Sequence, residues 1–450
     1  MAEANQQARQ EGTSRRDFIR ASSALVAGGA VAGTLSVGRS AHAAGSDVVR
    51  IGLIGCGGRG TGAASDAIRG SNGTAKIVAM GDVFEDQLQK SFRSLNAFAD
   101  SFDVPKERQF VGFEAYKKVL ECDVDLVILA TPPGFRPLHY EAAVNAGKHV
   151  FMEKPVAVDP AGVRKVLAAT EESKKKNLLV QVGLQRRHEA KYIATIKAIQ
   201  DGAIGEIILA RAYWNGQTPW VRPRKEGQTE LEYQMRNWYY FNWICGDHIV
   251  EQHIHNLDVI NWVMNGYPVK GQGQGGCQVR KGKDYGETFD HHFIEFTYKN
   301  GATMLSQCRH IPNCWNSVSE HVHGTTGYAD ISGSKIYDLS GKMLHNFAKL
   351  GADGNGRSNG HQYEHVDLFR DLRAGKTPNE GEYGALSTMT AIFGRMCTYS
   401  GAQLTWEEAL NSNVVVSPVE KLASFNDKPF LTPDPDGWYP QPVPGVTKVA

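Results

Sequence analysis

An excess of either charge is missing from this 450-residue chain: 49 lysines and arginines face 48 aspartates and glutamates, a formal net charge of +1. That balance gives no electrostatic reason to expect nucleic acid or an anionic membrane surface as partner. The seven cysteines, Cys56, Cys122, Cys245, Cys277, Cys308, Cys314 and Cys397, include no C-x-x-C pair, and their odd number excludes a fully paired framework within one chain. Most read as small buried residues. No internal repeat and no zincin motif occurs. The apolar run at residues 21–37 is short and rich in glycine and alanine, so a stable membrane anchor is not expected. What remains, 41% hydrophobic and 22% charged residues, describes an ordinary globular protein, long enough for two domains.

Ser14-Arg15-Arg16-Asp17-Phe18-Ile19-Arg20 precedes that apolar run, and Ala41-His42-Ala43 offers an A-x-A cleavage site. Residues 1–43 therefore read as a twin-arginine export signal, with a mature start near Ala44 and a periplasmic destination. Such a route carries folded proteins, which suits a chain that binds a cofactor before export.

The rest of the sequence is organised around Val48-Val49-Arg50-Ile51-Gly52-Leu53-Ile54-Gly55-Cys56-Gly57-Gly58-Arg59-Gly60. A β-branched strand runs into Gly55-x-Gly57-x-x-Gly60, and a helical stretch follows. Gly55 permits the tight turn, Gly57 lets backbone approach a pyrophosphate, and Gly60 lets helix pack close to strand. The helix N-terminus offers free N–H groups to the phosphates. A second strand, residues 76–80, ends in Gly81-Asp82, where a carboxylate would accept from an adenosine ribose. The site is a dinucleotide site, and Asp82 favours NAD over NADP.

Strands and helices then alternate to about residue 184, implying a parallel sheet with ligands at the carboxyl ends of its strands. Thr131, Glu153, Lys154 and Gln185 lie at such ends. Beyond Gln185 come a long strand at residues 207–214, an aromatic and arginine-rich segment at 217–243, and a helix expected over 247–264. A hairpin turns at Asn300-Gly301, so the second half reads as mostly antiparallel sheet. Residues 351–360 form a glycine-rich loop, and the tail from Pro429 looks extended.

Read as one helix, residues 247–264 place His248, Glu251, His255, Asp258 and Trp262 on a single stripe. A metal site from His248, Glu251 and His255 fits the spacing but lacks any supporting motif, so none is expected. His253 falls off the stripe and reads as structural. Trp214, Trp220, Arg222, Arg224, Arg236, Trp238, Tyr239 and Tyr240 suit either stacking on pyranose rings or a subunit interface.

With the glycine loop, Thr131-Pro132-Pro133, His139, Ala146-Gly147-Lys148-His149-Val150, Glu153-Lys154-Pro155 and Gly205-Glu206-Ile207, the chain resembles the Gfo/Idh/MocA oxidoreductase family. Its leader is similar to that of the family's periplasmic glucose–fructose oxidoreductase. The resemblance implies an α/β Rossmann N-terminal domain at residues 47–184. An α+β C-terminal domain with a large, mostly antiparallel sheet would follow at 185–450. Lys154 would hydrogen-bond the reacting hydroxyl, and His255 would be the acid/base. The family's D-x-x-x-H-x-x-D pattern falls on Glu251, His255 and Asp258, with Glu for Asp at the first position; Glu251 would orient the imidazole. Arg59, Thr131, Pro132, His139 and Glu153 would join the glycines, Asp82 and Lys154 around the cofactor. Arg187, Trp214 and Asp258 are substrate-binding candidates, Arg187 being equally readable as an interface salt bridge. The implied activity is NAD(P)-dependent oxidation of a sugar, sugar-derivative or polyol hydroxyl by a homo-oligomer; the export signal and the dinucleotide fingerprint in one chain further predict a tightly bound, internally recycled cofactor. The alternative is an NAD-dependent glycoside hydrolase working by transient oxidation and elimination. Its threonine-histidine-glycine signature is absent from residues 247–258, which ranks it second. A non-enzymatic sugar-binding protein ranks third.

Overall fold

The apolar runs that alternate with helices pair as one six-stranded parallel sheet. Its strands are β1 (Val49–Ile54), β2 (Ala75–Asp82), β3 (Gln109–Val111), β4 (Leu126–Leu129), β5 (His149–Met152) and β6 (Val180–Val182), in the order β3-β2-β1-β4-β5-β6. The computed structural model describes residues 48–351 and 359–450; the expected export signal lies outside them, as does most of the 351–360 loop. Helices cover both faces, so Ile51, Leu53 and all of β4 are fully buried and must be apolar throughout. Strand order reverses between β1 and β4. That switch point opens a crevice at the carboxyl ends, where Gly55, Asp82, Thr131 and Lys154 stand.

The second sheet has nine strands, β7 (Ile207–Gly216), β8 (Lys270–Gly276), β9 (His291–Thr297), β10 (Thr303–His310), β11 (Ser317–Gly324), β12 (Gly327–Asp330), β13 (Lys335–Asp338), β14 (Met343–Asn346) and β15 (Leu404–Thr405), in the order β14-β13-β12-β11-β7-β10-β9-β8-β15. Every neighbouring pair is antiparallel except β7 with β10. Asn300-Gly301 turns the β9–β10 hairpin, with Gly301 at φ +83°. One face packs Ala210, Ala212, Ile294, Phe296 and Met304 against the helices Ile254–Met264 and Gly381–Ser400. The other leaves Ile208, Phe293 and Val318 exposed. The helix Gly360–Arg373 returns to the first sheet, adding Leu368 and Phe369 to the core around Ile51 and Ala63. No helix among the described residues is long and apolar enough to cross a membrane.

One expected element is corrected. Residues 247–264 do not form one helix: a turn, His248–Glu251, is followed by a separate helix, Ile254–Met264. Asp247 sits at φ +73°, fully buried, and its carboxylate accepts from His248 N (2.6 Å), His248 Nδ1 (2.8 Å), Phe289 N (2.9 Å) and Tyr399 Oη (2.6 Å). These bonds tie the segment's start to the second sheet. The chain then widens, with His253 N reaching His248 O, before the longer helix begins. Tertiary hydrogen bonds outweigh the helical period here.

Candidate active site

A cleft of about 980 Å³ opens at the switch point and runs from the glycine loop to His255. At one end Gly55 lies at φ +94°, where a Cβ would stand 2.5 Å from Thr131 N. A Cβ on Gly60 would lie 1.8 Å from Gly55 O; Gly60 is a packing residue and does not line the cleft. Gly57, by contrast, has nothing within 4 Å of where its Cβ would be, and it caps the 13-residue helix Gly58–Gly70. The open backbone at this helix end fits a pyrophosphate. Asp82 ends β2 on the cleft wall, accepting from Cys56 N (2.6 Å) and Phe84 N (2.8 Å). Burial pushes its carboxyl up to about 6. It thus braces the glycine loop from the cleft wall.

The other proposed cofactor contacts, Arg59, Thr131, Pro132, His139 and Glu153, all line the cleft. Arg59 spends its guanidinium on Glu153 and on Glu364 (3.0 Å). His139 stacks on Tyr116 at 4.3 Å, with Nδ1 3.1 Å from Thr131 Oγ1; burial drives its pKa down to about 3, so it is neutral. Arg136, which the sequence reading missed, is buried beneath them and donates to the carbonyls of Glu153 (3.0 Å) and Thr131 (2.5 Å). Its only sequence signal was a cation in the first turn after Thr131-Pro132-Pro133.

At the opposite end, Lys154 Nζ donates to the backbone carbonyl of Glu251 and lies 3.1 Å from Glu251 Oε1. His255 stands with its ring near-parallel to Trp214 at 6.0 Å, both on the cleft wall. Burial, then the Lys154 charge, holds its pKa well below the usual imidazole range, so the ring is a neutral acceptor. Glu251 was expected to orient that ring; its carboxylate pairs with Lys154 instead.

Two substrate candidates are also corrected. Arg187 and Asp258 bind each other bidentately (Nε–Oδ2 2.9 Å, Nη2–Oδ1 2.8 Å), Ser387 Oγ donates to Asp258, and Arg187 lies 3.9 Å over the Tyr383 ring. Neither lines the cleft. Asp258 follows His255 by three residues and is drawn to the helix Gly381–Ser400 rather than to the site. The stripe of five residues is broken up too. His248 joins Asp247 and His292, whose donor atoms approach at metal-ligand spacing among the described residues, yet the Asp247 carboxylate already accepts four N–H and O–H donors. His253 is buried against Ser306 (2.8 Å).

The aromatic and arginine-rich segment divides. Trp220, Arg222, Arg224, Arg236 and Trp238 line the cleft, while Tyr239 and Tyr240 belong to the core. Arg236 lies 4.0 Å over the Phe84 ring and 3.2 Å from Asp86; Phe425 stacks on the same ring at 5.2 Å. The tail does not line the cleft but backs this segment, Phe430 against Trp243 and Tyr439 against Phe241 at 5.0 Å each.

Two models of one family match this chain: the Gfo/Idh/MocA oxidoreductase family's NAD-binding Rossmann fold over residues 49–183, and its C-terminal domain over residues 192–330. Together they cover more than half of the sequence, and the chain belongs to that family. It is 32% identical over 136 residues to an inositol 2-dehydrogenase/D-chiro-inositol 3-dehydrogenase of Halalkalibacterium halodurans, across 30% of this chain and 36% of that protein. An inositol 2-dehydrogenase of Rhizobium meliloti is 26% identical over 280 residues, 62% of this chain and 74% of the relative. The chain spans 36% to 47% of the length of the first three curated relatives it matches. Levoglucosan dehydrogenase, solved with NADH and levoglucosan, shares the fold at a TM-score of 0.62 and 16% identity, over 79% of this chain and 99% of that one.

Proposed function

We propose that this protein is an NAD(P)-dependent oxidoreductase acting on a CH–OH group of a sugar, sugar derivative or polyol, with NAD preferred. One observation carries the reading: Lys154, held by Glu251, and a neutral His255 share a cleft with the glycine loop and Asp82. Gly57, the N-terminus of the helix Gly58–Gly70, Asp82, Thr131 and Glu153 would hold the dinucleotide. When bound, its nicotinamide supplies the hydride acceptor. His255 takes the hydroxyl proton as the C–O bond becomes a carbonyl. An ammonium has three N–H donors; Glu251 uses two, so Lys154 keeps one for the reacting oxygen. Trp214, Trp220 and Trp238 offer apolar plates to a ring, and the named activities of the inositol dehydrogenase relatives agree with a polyol substrate.

The reading extends to location and turnover. Arg15-Arg16 and the Ala41-His42-Ala43 site support twin-arginine export. Free NAD is not expected in the periplasm, so the protein would carry its cofactor and recycle it in place. The exposed strip of Ile208, Phe293 and Val318 supports a homo-oligomer. The test is to denature purified protein and identify released small molecules by mass spectrometry, then screen sugars and polyols for reduced-nicotinamide absorbance. Stoichiometric NAD with turnover of a polyol is expected. Absence of any nicotinamide cofactor, bound or usable, would contradict the proposal.

A further inference from the structure

We propose that Gln252 is a specificity-determining residue that donates a hydrogen bond to a substrate oxygen other than the reacting one, and that Arg280 and His310 hold its amide in the donating orientation. This rests on the cleft being a sugar or polyol oxidoreductase site. Gln252 lines the cleft between Glu251 and the His255 helix, at the break that the sequence pattern concealed.

The orientation follows from donor chemistry. Arg280 is buried and can only donate. Its Nη1 donates to Thr288 Oγ1 (2.8 Å) and Phe289 O (2.7 Å), which fixes the guanidinium, and Nη2 lies 2.8 Å from His310 Nδ1. That nitrogen must therefore be the unprotonated acceptor. Burial, with the Arg280 guanidinium beside it, keeps the ring neutral, so its one proton is on Nε2. Nε2 stands 3.0 Å from Gln252 Oε1 and donates to it. His248 packs across the same ring at 4.4 Å and Tyr239 at 6.1 Å, limiting its rotation.

Gln252 thus has its carbonyl committed and its NH₂ without a hydrogen bond to the described residues, on the wall of the cleft. Turning the amide over would set NH₂ against N–H and leave buried groups unpaired. A donor pair is therefore preset in the cleft that Lys154 and His255 also line. It suits an acceptor oxygen, and a site built to bond an oxygen rejects the analogue that lacks it.

The experiment compares wild type, Gln252→Met and the near-isosteric Gln252→Glu as NAD-loaded mature chains. Steady-state kinetics are run on the best polyol and on its monodeoxy analogues. KM is expected to rise about tenfold in both variants, with kcat within about threefold and NAD content unchanged. Wild type should discriminate strongly against one monodeoxy analogue, and Gln252→Met should lose that discrimination. Nitrogen NMR of the holo wild type should find His310 neutral and protonated on Nε2. Unchanged KM and unchanged deoxy selectivity in Gln252→Met would overturn the role of Gln252. A His310 proton on Nδ1 would overturn the orienting relay. A wild type that oxidises no polyol while His310 carries the Nε2 proton would overturn the reading of the cleft and leave the amide orientation standing.

Discussion

Lys154 and Glu251 close on each other across the cleft, the ammonium 3.1 Å from the carboxylate and bonded as well to the Glu251 carbonyl. A strand end of the parallel sheet and a helical turn packed near the second sheet thus share one ion pair, with the Lys154 side chain 13% exposed and Glu251 14%. Lys154→Ala should lower kcat roughly 10²-fold or more, with folding and NAD content nearly unchanged. Glu251→Gln keeps the backbone contact and should cost less, about tenfold. Rate constants with thermal melting check this; full activity in Lys154→Ala would place the proton chemistry elsewhere.

Arg187 and Asp258 form a structural pair. Asp258→Ala strands a guanidinium that is itself mostly buried and should destabilise the protein by about 3–5 kcal/mol. KM for substrate should not move. Denaturant unfolding alongside kinetics separates the two effects, and an intact stability with a raised KM would return Asp258 to the substrate.

Asp82 should make cofactor binding depend on pH. Its carboxyl is raised to about 6 by burial, above an unfolded value near 4. The cofactor-free protein therefore loses this group's contribution to stability as pH rises from about 4 through about 6. Ribose hydroxyls would donate to the ionised form, so NAD binding should tighten as pH rises through about 6, by up to about tenfold between about pH 5 and pH 7. Asp82→Asn should flatten the profile. Titration of cofactor-free protein decides it; affinity that falls as pH rises would contradict the ribose role.

Much of the first sheet was legible because its strands are short, mainly apolar runs bounded by turn residues, and the Gly55 loop has few alternative readings. The second sheet was legible only at β7 and at the Asn300-Gly301 hairpin. Strands β11 to β14 alternate polar and apolar residues weakly, and β14 is exposed along its length. Candidate residues fared by locality. Lys154, Asp82 and His139 reach the cleft because strand or helix ends carry them there. Glu251, Arg187 and Asp258 took other partners because ion pairing across elements decides them, and no spacing rule encodes Ser387 or Tyr383. Gln252 was invisible for the same reason, and Arg136 left only the trace of a cation after Thr131-Pro132-Pro133.

Retention of cofactor should depend on the clamp over Phe84. Arg236 and Phe425 both hold the Phe84 ring, Arg236 through its charge, shared with Asp86, and Phe425 by stacking. The double variant Arg236→Ala/Phe425→Ala should release NAD about tenfold faster or more, since each contact is worth about 1 kcal/mol. Dilution of loaded protein with fluorescence detection measures the rate; an unchanged rate would assign retention to other contacts.

The central claim, a polyol or sugar oxidoreductase that carries its own cofactor, is tested most directly by exhaustive dialysis followed by assay without added NAD. The account predicts stoichiometric bound NAD after dialysis and turnover of a donor–acceptor pair of sugars or polyols with no cofactor supplied. Complete loss of activity, restored only by stoichiometric added NAD, would contradict it and make the protein a dehydrogenase with a freely exchanging cofactor.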